Sequence, residues 1–343
     1  MTRRQLLGAI AGLSFVGLAK AANSIKSPVD AAMEGGADFL LNTQQPNGAL
    51  SKSKADTMTA LGIMALASMG HQPTDPGKYG KVLREALGFI LREKPTRYYN
   101  KNPNLVYFGG DGSRMYGHGI TTLCLTEMLG MGVEKNQEKR LREVCKKALD
   151  LILSSQRVRK SSAGHRGGWR YGPASHDSDL SITAWQLLAL RSGKGAGMDV
   201  PKEAIDAAVG YLKHSYSSRG GVKGCAYKPG QSPSLAMAAA GLLSLQVCGE
   251  YDSPEANGSA EWLSKQNAID GGHFYYSIYY YSQAMQKRGG DVATKAREFV
   301  EKSLLKKQKK NGSWSGGHGP IYCTSMAILS LSVKYHYLPI YQH

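Results

Sequence analysis

An apolar block of 13 or 14 residues recurs six times in this chain, and this repeat constrains the fold more than any other feature. Each block opens near a small residue or Thr, continues with apolar residues at helical spacing and stops near a Gly or at the end of the apolar run. The blocks are "TMTALGIMALASMG" from Thr57, "GITTLCLTEMLGMG" from Gly119, "SITAWQLLALRSG" from Ser181, "AMAAAGLLSLQVCG" from Ala236, "SIYYYSQAMQKRGG" from Ser277 and "YCTSMAILSLSVKY" from Tyr322. Because they carry few charges, we expect six buried helices.

A second, amphipathic helix is predicted before each block, with charges on one face and apolar residues at i, i+3, i+4 and i+7 on the other. These segments are "AAMEGGADFLLNTQ", "YGKVLREALGFILRE", "LREVCKKALDLILSSQ", "PKEAIDAAVGYLKHS", "PEANGSAEWLSKQ" and "TKAREFVEKSLLKKQ". An open stack of six such hairpins would expose apolar helices at both ends, whereas a closed ring would bury all of them. We therefore predict an all-α fold, an (α/α)6 toroid of six helical hairpins that forms one domain over residues 23–343.

The first 22 residues are predicted to be a secretory signal. Arg3 and Arg4 precede an apolar stretch at residues 6–19 and a small-x-small cleavage pattern at residues 19–21. The start also resembles a twin-arginine signal, although the general secretory route and an uncleaved anchor stay open. The expected location is exported, either periplasmic or secreted.

The net charge of +17 favours anionic partners, such as lipid headgroups or an acidic polysaccharide. Nucleic acid is not an expected partner, because the cations are scattered along the chain. The five cysteines show no CxxC spacing, and four lie in apolar or helical stretches. We interpret most of them as small buried residues.

Four links between paired helices share a Gln followed by a Gly and an apolar or aromatic residue. They are "QQPNGAL" at 44–50, "QNAIDGGHF" at 266–274, "QKKNGSW" at 308–314 and the longer segment at 156–169 that ends in "GGW". This pattern resembles the QW repeat of squalene and hopene cyclases, and the hairpins resemble the toroid superfamily of terpenoid cyclases and protein prenyltransferases. The resemblance implies that Gly permits a tight reversal while the Trp fills a seam between hairpins.

In such a ring the amino-terminal ends of all inner helices meet, so candidate site residues are those that begin these helices. Residues 167–185, "GGWRYGPASHDSDLSITAW", are similar to the region of hopene cyclases that carries an Asp-x-Asp-Asp motif. The resemblance places Asp179 at the proton donor, with Asp177 and His176 as further catalytic candidates. Leu180 replaces the last Asp of that motif. Alternatively, Asp177 or Asp179 is a helix N-cap.

Aromatic and histidine side chains near the same ends are the candidate substrate-binding residues. The aromatic helix from Gly272 would suit an isoprenoid cavity by cation–π attraction, or serve as core. The candidates are Trp169, Tyr171, Tyr116, His118, His273, Tyr275, Tyr276, Tyr279, His318 and Tyr322.

No metal and no cofactor are expected. Protein prenyltransferases hold zinc through an Asp-x-Cys, but here Gly272 stands where that motif has Cys. Asp270, His273, His318 and Cys323 have suitable donor atoms, although no spacing fixes their geometry.

Three functions are compatible with these residues. The first is an exported isoprenoid cyclase or transferase whose partner is a hydrophobic isoprenoid-like molecule. The second is a non-catalytic binding or scaffold toroid, and the third is a protein that acts on an anionic glycan. Peripheral contact with a membrane stays open, as does the oligomeric state.

Overall fold

The structure is a computed structural model that describes residues 26–132, 134–269 and 271–342. The predicted signal, residues 1–22, lies outside the described residues and stays a prediction. The helices are α1 (Pro28–Asn42), α2 (Ala55–Ser68), α3 (Lys78–Leu91), α4 (Arg114–Glu127), α5 (Lys135–Gln156), α6 (Leu180–Gly195), α7 (Lys202–Ser215), α8 (Leu235–Val247), α9 (Pro254–Ser264), α10 (Phe274–Arg288), α11 (Gly290–Leu305) and α12 (Pro320–Leu331). Two short strands, β1 (Tyr216–Ser217) and β2 (Gly224–Cys225), pair antiparallel between α7 and α8.

The even-numbered helices form a closed inner ring. Each packs against the next even-numbered helix, and the last, α12, packs against the first, α2. The odd-numbered helices lie outside, against one or both of the inner helices that flank them in the chain. The predicted all-α toroid of six hairpins is therefore confirmed, with the outer helix first in each pair.

Burial separates the two kinds of helix as the sequence predicts. On the inner helix α8 every residue from Met237 to Val247 is buried. The outer helix α5 buries Leu141, Val144, Cys145 and Ala148, which follow the i, i+3, i+4, i+7 spacing of one helical face. Of the five free cysteines four are buried, and none of the described helices is long and apolar enough to cross a bilayer.

Three of the four Gln-containing links share one set of hydrogen bonds. In the last link the Gln308 amide donates to the carbonyl oxygen of Gly312 (2.8 Å) and to that of Ala32 on α1 (2.7 Å). The same pair of bonds joins Gln44 to Gly48 and Val82, and Gln156 to Gly167 and Ala204. Each of these glutamines thus ties its own link to the next outer helix, and Gln308 ties the last repeat to the first. In the fourth link the Gln266 amide donates to the carbonyl oxygen of Trp262 on the preceding helix α9, and no second acceptor for it is found among the described residues.

The Gly and the Trp of these links have the structural roles that the resemblance implies. Gly312 has a φ of +82°, and a Cβ there would lie 2.2 Å from the carbonyl oxygen of Gly35. Trp314 is fully buried, and its indole N–H donates to the carbonyl oxygen of Leu304 (2.8 Å). Its backbone N–H donates to the Thr324 hydroxyl (3.0 Å). Trp169 repeats these two bonds with Ile152 and Thr183, so the repeated link is scaffold.

The last residues of the chain pack across the carboxyl-terminal end of the ring. Leu338 and Ile340 are buried there, and the Ile340 N–H donates to the Glu127 carboxylate at the end of α4 (3.0 Å). The same carboxylate accepts a hydrogen bond from Ser192 on α6. Most of the candidate site residues precede or begin the inner helices, at the opposite end.

Candidate functional site

The amino-terminal ends of several inner helices meet at one end of the ring. Burial raises the pKa of Tyr116 on α4, and the Ser181 side chain on α6 opposes this rise; the Tyr116 ring centroid lies 6.0 Å from that of Tyr171. Burial, and then the neighbouring Tyr116 and Cys323, raise the pKa of Tyr322 on α12. Side chains from α4, α6 and α12 are thus neighbours, as the toroid predicts.

Asp179 is the N-cap of α6 and is fully buried. Its Oδ1 accepts hydrogen bonds from the Ile182 N–H (3.0 Å) and the Ser181 hydroxyl (2.5 Å), and its Oδ2 accepts one from the Arg170 guanidinium (2.9 Å). Burial raises the pKa of Asp179, and these donors act in the opposite direction. The cap predicted from the sequence is present, and it uses the residue that the resemblance places at the proton donor.

Arg170 connects Asp179 to a polar network at the surface. Its guanidinium lies 3.4 Å from the Asp177 carboxylate, which also accepts a hydrogen bond from Lys228 (3.0 Å). Partial burial raises the pKa of Asp177, but the neighbouring Lys228 and Arg170 outweigh burial, so the pKa is lowered. Arg170 also donates to the Tyr227 hydroxyl (3.0 Å).

Arg170, Tyr227 and Lys228 are not among the site residues predicted from the sequence. Arg170 lies between Trp169 and Tyr171, two predicted site residues, so its place in "GWRYG" is a sequence feature that could identify it. Tyr227 and Lys228 come from the segment before α8, and no motif marks them. Tyr227 is nevertheless hydrogen-bonded to Tyr171, with 2.8 Å between the two hydroxyl oxygens.

A cavity of about 510 Å³ opens where α10 and α12 begin. Its deeper wall, here called the aromatic floor, consists of Phe274, Tyr275, Tyr276 and Tyr322. Its other lining residues include exposed His273, His318, Lys307 and Lys309, together with Ser315, Cys323 and glycines 271, 272, 316 and 317. Five of the predicted substrate-binding residues therefore line one cavity.

The middle of the ring is closed by aromatic side chains. Trp185 on α6 stacks on Tyr279 of α10, with centroids 5.5 Å apart, and meets Tyr280 edge-on at 5.6 Å. All three are buried, and α8 separates α6 from α10 around the ring. Since these rings meet across the axis, Tyr279 lies in the core and does not line the cavity.

The other predicted residues also lie outside the cavity lining: Tyr116, Tyr171, Asp177 and Asp179, described above, and His118, Trp169 and His176. His118 is fully buried between α4 and α5, where its Nε2 lies 3.2 Å from the Ala148 carbonyl oxygen, and burial lowers its pKa to about 3. Trp169 fills the seam described above. His176 is exposed, with its Nδ1 2.8 Å from the Arg159 carbonyl oxygen.

The His273 and His318 rings stack with centroids 6.0 Å apart. Among the described residues, no three His, Cys, Asp or Glu side chains are placed to hold a metal ion. Asp270, which belonged to the alternative ligand set, lies outside the described residues.

Neither a protein-family model nor a curated protein matches this chain. Solved structures do match. The apo form of type II terpene cyclase MstE from Scytonema is 14% identical over 91% of this chain and 100% of the cyclase chain, with a TM-score of 0.57. An MstE variant in complex with its substrate, geranylgeranyl dihydroxybenzoate, is 15% identical over 89% of this chain and 97% of that chain, with a TM-score of 0.55.

A protein from Actinoplanes is also similar, at 13% identity over 88% of this chain and 98% of that chain, with a TM-score of 0.52. At these identities the likeness concerns the fold. The chain has the all-α toroid of terpenoid cyclases, as its link motifs predict.

Proposed function

We propose that the chain binds a small isoprenoid-like molecule in the cavity at the amino-terminal end of the ring. The aromatic floor is the observation that supports this most directly, because a wall of four aromatic rings suits a branched, unsaturated hydrocarbon. MstE, which has the same fold, is solved with a geranylgeranyl-bearing substrate and with the product merosterolic acid A.

The binding energy available from the floor is limited. A ligand that buries about 200 Å² of apolar surface gains about 5 kcal/mol at ~25 cal/mol per Å². Micromolar affinity requires about 8 kcal/mol. Contacts with polar groups at the cavity mouth would have to supply the difference.

A cavity-filling variant tests this proposal. A Cβ on Gly317 meets no atom within 4 Å, so Gly317→Trp adds bulk to the cavity without a clash at its first carbon. We expect calorimetric titration with geranylgeraniol to show binding to the unsubstituted protein and at least tenfold weaker binding to Gly317→Trp. Gly210→Trp, at another open glycine that does not line the cavity, is the matched control.

Equal affinity for Gly317→Trp and Gly210→Trp would contradict this site. Binding of an acidic oligosaccharide, with no binding of geranylgeraniol to any form, would favour the glycan alternative.

Acid-initiated cyclisation at Asp179 is a second candidate function. In its favour, Asp179 is a fully buried carboxyl group whose pKa burial raises, and a general acid must hold its proton near neutral pH. Against it, the ion pair with Arg170 and the cap of α6 favour the carboxylate. Moreover, Asp179 does not line the cavity, and Trp185 closes the axis below it.

Incubation with geranylgeranyl dihydroxybenzoate separates the two candidates. A cyclase would give an isomer of unchanged mass and new retention time, and Asp179→Asn would abolish it while Asp177→Asn would not. Binding of the compound without conversion would support the binding function alone.

A further inference from the structure

Basic side chains lie at the mouth of the cavity. We define the cationic collar as the lysines Lys54, Lys307 and Lys309 together with the imidazoles of His273 and His318, all of them exposed, and its positive charge comes from the lysines. Burial, and then the charges of His273 and of Lys54, which precedes α2, lower the pKa of His318. Lys307 lies over the Phe274 ring at 4.8 Å. The collar thus joins three segments that are far apart in the chain.

No carboxylate balances the collar among the described residues. The described residues that line the cavity include no Asp or Glu, and within the same part of the chain the three collar lysines form no ion pair. Lysines on outer helices do find partners one turn away, such as Lys146 with Asp150 and Lys202 with Asp206. Like charges gathered without a counter-charge repel each other, so a bound anion would stabilise this arrangement.

The two helices that begin at the cavity also lack side-chain caps. Neither α10 nor α12 has an N-cap side chain that accepts from its first N–H groups, whereas Asp179 and Ser234 cap α6 and α8. Their uncapped N–H groups are donors that an anion can use. The open glycines 271, 272 and 317 leave room for a ligand to approach the backbone.

We propose that the cationic collar binds the anionic head group, a phosphate or a carboxylate, of an amphiphile whose apolar part contacts the aromatic floor. This inference rests on the proposed isoprenoid-binding function and names the ligand class more closely. The same head-group chemistry occurs in a free phosphorylated isoprenoid and in an anionic lipid at a membrane surface.

The proposal is tested with two ligands that have the same isoprenoid tail and different head groups. We expect geranylgeranyl monophosphate to bind at least tenfold more tightly than geranylgeraniol in calorimetric titrations at low salt. The gain should disappear in Lys307→Gln/Lys309→Gln, because the collar loses two charges, and should fall in 0.5 M salt. Lys139→Gln/Lys295→Gln removes the same charge from exposed sites outside the cavity and should keep the gain.

Equal binding of the alcohol and the phosphate would overturn the head-group proposal while leaving the isoprenoid-binding function intact. Absence of binding for both compounds would overturn both proposals. A gain that survives in Lys307→Gln/Lys309→Gln would overturn the assignment to the collar.

Sedimentation with vesicles distinguishes the two sources of the head group. If the ligand is a membrane lipid, the protein should sediment with phosphatidylcholine vesicles that contain 30% phosphatidylglycerol and not with pure phosphatidylcholine. Replacement of one collar lysine by Gln should then lower the partitioning of the protein into these vesicles about fivefold, since a lysine near an anionic surface contributes about 1 kcal/mol. Tight binding of the phosphate without sedimentation would support a free ligand.

Discussion

Gln308 is one of the side chains that join the last repeat to the first. Its amide bonds two carbonyl oxygens, of Gly312 in its own link and of Ala32 on α1. Gln44 and Gln156 do the same elsewhere in the ring. A Gln is suited to this position because its amide carries two N–H donors on a side chain long enough to reach the next helix.

Gln308→Ala should lower the free energy of unfolding by about 2 kcal/mol or more, because two partly buried carbonyl groups lose their donor. Gln266→Ala should cost about 0.5 kcal/mol, since among the described residues the Gln266 amide donates only to Trp262, on the helix just before it. Urea unfolding of the two variants measures the difference. Equal costs would mean that the bond between repeats adds nothing.

At the scale of elements, each helix turns its apolar face inward, and a polar group on that face is buried with it. His118 on α4 is such a group, since its ring is fully buried and joins α4 to Ala148 on α5. Burial lowers its pKa to about 3, so the folded protein keeps His118 neutral over a range in which the unfolded chain takes up a proton.

This difference makes stability depend on pH. Because the unfolded state binds the extra proton, stability falls as pH decreases from about 6.5 towards 3, by on the order of 4 kcal/mol from His118 alone. His118→Gln keeps an amide donor and removes the titration, so the decline of unfolding free energy over this range should be shallower. Parallel pH profiles for the two proteins would show that His118 does not contribute.

The elements themselves follow from the sequence, but several contacts between them do not. Apolar periodicity predicts every hairpin, and the motif predicts Asp179 either as a helix cap or as the proton donor. The stack of Trp185 on Tyr279 was not predictable, because it depends on how far side chains reach across the ring. The collar joins Lys54 to Lys307 and His318 for the same reason, since closure of the ring brings together residues that no local pattern relates.

At the scale of the whole molecule, the ring has two different ends. The amino-terminal end carries the cavity, and the other end is covered by the chain terminus, where Ile340 bonds buried Glu127. The closing seam is further joined by the Ser332 hydroxyl, which donates to that of Ser68 (2.7 Å). Closure thus uses contacts between residues more than 200 positions apart.

Deletion of residues 333–343 should lower the free energy of unfolding by about 3 kcal/mol, because Glu127 loses a donor and the apolar groups around Leu338 become exposed. Deletion of residues 342–343 alone should change it by about 0.5 kcal/mol or less. Thermal unfolding of both forms provides the comparison. An unchanged midpoint for the longer deletion would show that the tail does not contribute to closure.

The central claim is that an isoprenoid occupies the cavity between α10 and α12. Photo-crosslinking with a benzophenone-bearing geranylgeraniol, followed by mass spectrometry of the labelled peptides, tests it most directly. We predict labels within residues 271–276 and 315–323, and loss of these labels in Gly317→Trp. Labels confined to the outer helices or to the tail side of the ring would contradict the account.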